Sequence, residues 1–153
     1  MISRARLRDA ALYRLARLLR PYLARTPLIW GDADRLTLGK EVHLVDAVVN
    51  LRSGRVTIGD HSFLGHGVML LTGRHDYRAT GPGRQAVVDE TGNDIIIGKG
   101  VWIASGAIVI GPCSIGDNAV IGAGCVVSGT IPADTITTGS RPRATTPLPS
   151  GQP

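Results

Sequence analysis

A large aliphatic residue returns at every sixth position along one stretch of this chain: Ile97, Ile103, Val109, Ile115, Ile121 and Val127. The fourth residue after each of the first five is small or β-branched, namely Val101, Ala107, Cys113, Ala119 and Cys125. Self-similarity at a period of six points to an all-β solenoid, a parallel β-helix in which three hexads close one triangular coil. The aliphatic fills the interior and the small residue fits the crowded space beside it. Gly98, Gly116 and Gly122 follow the aliphatic directly, where a tight corner tolerates little side chain. An earlier stretch keeps the frame through Leu38, Leu44, Ile58, Leu64 and Leu70, with Val42, Val48, Ser62 and Val68 at the small position. The step from Leu44 to Ile58 is 14 residues rather than 12, which places a two-residue insertion near 50–55.

At 153 residues the chain makes one solenoid domain with a narrow core, dependent on end caps and oligomer contacts. Its net charge of +5 is unevenly placed. Residues 1–25 carry seven arginines against Asp9, whereas the rest has 10 basic and 11 acidic residues. The solenoid itself is thus close to neutral, which argues against nucleic acid as a partner. Residues 1–30 form an N-terminal amphipathic segment. Leu7, Ala11, Leu15, Leu18 and Tyr22 share one helical stripe, with Arg14, Arg17 and Arg20 opposite. Two roles are open to it: a cap over the open end of the β-helix, or a basic helix in peripheral contact with an anionic membrane. No apolar run approaches the roughly 18 residues needed to span a bilayer, and arginines interrupt the leucines too often for a secretory signal. Cys113 and Cys125 fall at inward small positions and read as reduced core residues, so a cytoplasmic location is expected. The β-helix is expected over 31–143, and the Pro-, Thr- and Ser-rich stretch 144–153 as a mobile tail.

The beat is lost between Leu70 and Ile97, leaving a loop excursion over 74–94. A long loop inside a repeat array costs ordering entropy with little burial to offset it, and such loops are usually functional. His75 opens the excursion, held by the rigid coil behind it.

These residues match a family. Gly73-Arg-His75-Asp-Tyr77, then Ile97-Gly-Lys-Gly-Val-Trp-Ile-Ala-Ser105, Val120-Ile-Gly-Ala-Gly124 and Ile131-Pro132 resemble the hexapeptide-repeat acyltransferases over about residues 36–143. The likeness is to galactoside and maltose O-acetyltransferases and to sugar O-acetyltransferases of polysaccharide biosynthesis with a His-Asp-Tyr loop. The resemblance implies a left-handed β-helix, a homotrimer, acetyl-CoA bound between subunits as co-substrate, no metal, and a sugar or glycan-precursor hydroxyl as acceptor. It gives His75 the part of general base in direct transfer, a step worth about 10²–10⁴-fold. Asp76 is expected to cap the loop turn. Asp46 and Asn50 lie where the family binds its acceptor. Trp102 follows the inward Val101 and should point outward, where a subunit interface or the coenzyme's pantetheine channel would cover it. Ser105, Ala123 and Ser128 match positions lining the coenzyme, with Ser105 near the thioester. Arg143 matches a basic residue for the coenzyme phosphates, with Arg141 as its neighbour in that role. The chain departs from the family at its Gly139-Ser-Arg-Pro-Arg143 ending and at Gly129, where a lysine is common.

Two rival readings compete. His43, His61 and His66 suggest the three zinc-binding histidines of a γ-type carbonic anhydrase, although the insertion after Leu44 disturbs the stacking of His43 under His61. A solenoid also serves as a non-catalytic scaffold, its loop then being a binding surface.

Overall fold

The computed structural model describes residues 14–15, 18–19, 26–75, 80–86, 91–139 and 145–147. The chain winds as a left-handed parallel β-helix of about five turns, against the usual right-handed preference for parallel connections.

Three ladders of parallel strands form its three faces. The first stacks β2 (Leu36–Leu38), β4 (Val56–Ile58) and β7 (Ile95–Ile97), then the second half of β9 (Ile108–Ile115). The second face stacks β5 (Phe63–Leu64), β8 (Trp102–Ile103), β10 (Val120–Ile121) and β12 (Thr135–Thr137). On the third lie β1 (Leu28–Trp30), β3 (Val48–Asn50), β6 (Met69–Leu71) and the first half of β9. The last strand of the first and third faces is β11 (Val126–Ile131), which pairs with β9 across both. Its register jumps between Val127 and Gly129, because Ser128 alone spans a corner that takes Ile110, Gly111 and Pro112 one coil below.

The hexad aliphatics stack inward as the period requires. Ile58, Leu64, Leu70, Ile97, Ile103, Val109, Ile115, Ile121 and Val127 are all buried, and so are Val101, Ala107, Ala119 and both cysteines beside them. Burial pushes the Cys113 thiol up to about 11. One stretch departs from the sequence frame. Ala47 and Val49 are the buried residues after Leu44, and Val48, expected inward, lies on the outer side of β3. The corner between Leu44 and β3 is one residue short, and three extra residues follow β3 in the bend before β4. The expected two-residue insertion is the net of these two changes. The short corner forces Val45 to φ 53°, a left-handed conformation unfavourable for a β-branched residue.

At the N-terminal end the inward residues of the first coil are open: Ile29 and Leu38 are exposed. Arg14, Leu15, Leu18 and Leu19 are helical. All three leucines are exposed. At the other end Thr145–Pro147, expected within a tail, form β13, which pairs antiparallel with β12. Among the described residues no helix is long and apolar enough to cross a membrane.

Candidate functional site

The step from Leu64 to its stacking partner Ile103 is 39 residues, against 18 from Ile103 to Ile121. The 21 additional residues form the excursion that leaves after β6 and rejoins at β7, with a short helix, α1 (Gly81–Ala86), within it. Its stem is sewn to the coil below by buried polar groups. The Thr72 hydroxyl donates to the Asn50 carbonyl at 2.7 Å and accepts the Ser53 N–H at 3.2 Å. Across the neck, Arg74 Nη1 donates to Oδ1 of the buried Asn93 at 3.3 Å. Gly73 lies so close over Asn50 that a Cβ there would stand 2.8 Å from its Nδ2, so a side chain at this position would push the Asn50 amide aside.

His75 comes immediately after this stem. Its Nδ1 lies 3.0 Å from the carbonyl oxygen of Arg84 in α1. A carbonyl only accepts, so the proton sits on Nδ1 and the Nε2 lone pair is left available. That is the tautomer a general base needs. His75 lines a cavity of about 380 Å³ with Asn50, Gly73 and Arg74, closed on the other side by Trp30, Gly31 and Arg52. Asn50 is anchored there by its Oδ1, which accepts the Arg52 N–H at 2.9 Å.

Asp46 is not brought to this cavity. It sits before β3 whereas Asn50 ends it, so the two lie at opposite edges of the third face. Its carboxylate accepts the Gly67 N–H at 2.8 Å and meets His66 Nδ1 at 3.3 Å. The Gly67 N–H and then His66 hold its pKa below the usual carboxylate value.

Ser105 and Ala123 share the Asp46 corner. The Ser105 hydroxyl accepts the His66 N–H at 3.1 Å, and a Cβ at Gly67 or Gly124 would meet nothing within 4 Å. The result is an exposed strip of backbone and small side chains. On the adjoining second face Trp102 is outward, as expected, and stacks on Phe63 with ring centroids 5.9 Å apart. Ser128 is exposed on the His75 side of the third face. Since Ser105 precedes β9 and His75 follows β6, a face roughly 15–20 Å wide separates them within one chain. Asp76, Arg141 and Arg143 lie outside the described residues.

The three histidines of the zinc reading do not converge. His43 pairs beside Phe63 on the second face. His61, at φ 61° on the corner before it, meets Glu41 at 3.1 Å, while His66 meets Asp46 on the corner after it. Among the described residues no three His, Cys, Asp or Glu side chains gather as a metal site.

Trp30, Arg52 and Arg74 were not singled out by the sequence. Arg74 lies inside the quoted Gly-Arg-His motif and was the readable one. Trp30 and Arg52 reach the cavity only because β1 and β3 stack beneath β6.

Residues 94–129 match the model of the bacterial transferase hexapeptide, six repeats. The match is to the hexapeptide-repeat transferase family. It is 32% identical over 106 residues to WcaF of Escherichia coli strain K12, a protein named for colanic acid biosynthesis, covering 69% of this chain and 55% of that one. Identity to the galactoside O-acetyltransferase of the same organism is 36% over 117 residues, covering 74% and 54%. The solved structure of a galactoside acetyltransferase in complex with coenzyme A superposes with a TM-score of 0.66 at 26% identity, covering 75% of this chain and 56% of that one. The chain thus spans about half the length of the curated relatives it matches.

Proposed function

We propose that this chain is an acetyl-CoA-dependent O-acetyltransferase acting on a hydroxyl of a sugar or glycan precursor. The observation that carries the reading is the fixed His75 tautomer, with Nε2 free in a cavity large enough for a sugar ring. In the reaction the acceptor oxygen forms a bond to the thioester carbonyl carbon as Nε2 takes its proton. The carbon–sulfur bond then breaks, and the imidazolium returns the proton to the departing thiolate. The carbonyl of Arg84 does for the imidazole what a carboxylate does elsewhere: it holds the ring and stabilises its charged form. Trp30, 62% exposed at the cavity wall, offers an apolar face to the C–H side of a sugar, and Asn50 offers an amide to its hydroxyls.

The strip at Ser105 and Ala123, flanked by Trp102, suits the extended amide-bearing arm of the coenzyme. Its separation from His75 supports a site shared between copies, the cavity from one subunit and the strip from its neighbour, as in a homotrimer. The test is transfer from acetyl-CoA to a panel of sugars, comparing the unaltered protein with His75→Ala. A loss of at least about 100-fold in turnover with donor affinity retained is expected. Equal rates in both proteins would remove His75 from the mechanism.

A further inference from the structure

The cavity that holds His75 is also lined by two arginines, Arg52 and Arg74, and among the described residues none of its lining is acidic. Among the described residues no carboxylate pairs with either guanidinium: the ion pairs are His61 with Glu41, His66 with Asp46, and Lys99 with Asp60. Arg74 spends one N–H on Asn93, a neutral partner that orients the fork and leaves its charge uncompensated. The segment bearing Arg52 is pinned from below, where Arg35 Nη1 donates to the carbonyl of Arg52 at 3.2 Å. Asp32 lines the adjoining hollow with Arg35 and Arg52, but its carboxylate accepts the Asp34 N–H at 3.0 Å and caps the turn there. Two like charges in one concave site repel, and the arrangement is favourable when an anion sits between them.

Resting on the transferase reading above, we propose that the acceptor is an anionic sugar, carrying a carboxylate or phosphate that Arg52 and Arg74 grip while a hydroxyl is presented to His75. The donor does not satisfy these arginines. When its carbonyl carbon stands at Nε2, the whole pantetheine arm separates it from its phosphates, whereas the substituents of an acceptor sugar stay within the same cavity. The forks select for charge and Trp30 for the ring. Asn50, tied to the Arg52 backbone, keeps the hydroxyl-binding and charge-binding groups in fixed relation.

The experiment measures kcat/KM with acetyl-CoA for glucose, glucuronate and glucose 6-phosphate. The unaltered protein is compared with Arg52→Gln, Arg74→Gln and the double variant, and their melting curves check folding. At least one anionic sugar is expected to exceed glucose by about tenfold or more, a margin that charge-assisted contacts to two guanidiniums readily supply. The double variant should erase that preference while leaving the KM for acetyl-CoA within about twofold. Whether glucuronate or glucose 6-phosphate wins tells carboxylate from phosphate. Glucose turned over as well as both anions, or a rise in the acetyl-CoA KM instead, overturns the proposal. If no sugar is turned over, calorimetric titration of glucuronate, inorganic phosphate and glucose decides it separately from the chemistry. Binding of an anion but not glucose, weakened in Arg52→Gln, upholds the anion grip, and equal or absent binding of all three overturns it.

Discussion

Ser62 sits fully buried below the loop, and its hydroxyl spans a turn of the coil above. It donates to the Gly98 carbonyl at 2.8 Å and accepts the Val101 N–H at 3.0 Å. One coil further on, the equivalent Gly116–Ala119 turn closes on itself by an N–H···O contact of 3.4 Å. In Ser62→Ala the methyl will fit, because Ala119 fills the same inward position, but two buried backbone groups lose their partner. With about 1 kcal/mol per net hydrogen bond, and no water able to replace the hydroxyl, the loss comes to about 2 kcal/mol. For a chain of this size that is a fall of roughly 4–8 °C in melting temperature. The assay is a thermal melt with a matching denaturant titration, at one protein concentration so that subunit association does not enter. A change below about 0.5 kcal/mol would refute the reasoning, since the turn would then have closed without cost.

Val45→Asn should raise stability by about 0.5–1 kcal/mol, because asparagine tolerates the left-handed φ that valine resists; an unchanged denaturant midpoint would contradict this. Asp46, its pKa held below 3.8 in the fold, contributes stability above that pH and loses it as pH falls through the lower folded value. The stability gap between the unaltered protein and Asp46→Asn should therefore be flat near neutrality and close at acid pH; a gap independent of pH would exclude the linkage. Cys113, buried with its thiol pushed up to about 11, should resist a thiol reagent at neutral pH until the chain is unfolded, and rapid labelling of the folded protein would show otherwise.

The solenoid was legible because every hexad from Ile97 to Val127 repeats one packing problem, so the period survives any single side chain. The slip at Leu44–Val49 was not. Val48 and Val49 are the same residue type, and either could be inward until the ladder fixes Val49 opposite Leu70. That ambiguity carried into the site. Asp46 and Asn50 are four positions apart and looked equivalent as acceptor groups, yet an extended strand between them sends them to opposite edges. The break in the beat pointed to His75, and the cavity it lines lies there. The ring's orienting partner was not legible, because the partner is a main-chain carbonyl in α1 and any residue at position 84 would supply one. Trp30 stands before the repeat frame begins, and only the 20-residue stacking step onto Asn50 delivers it to the cavity.

The reversal of direction at β13 bears on how copies of this molecule avoid one another. A tower of like-directed rungs offers at its tip an edge that another tower could extend indefinitely, a route to fibres. By laying Thr145–Pro147 head-to-tail against Thr135–Thr137, the chain finishes one side of that tip with a bonding pattern no further rung of the same kind can continue. End-on polymerisation is thereby discouraged, and sideways association between the flanks of the prism is left as the open mode of assembly.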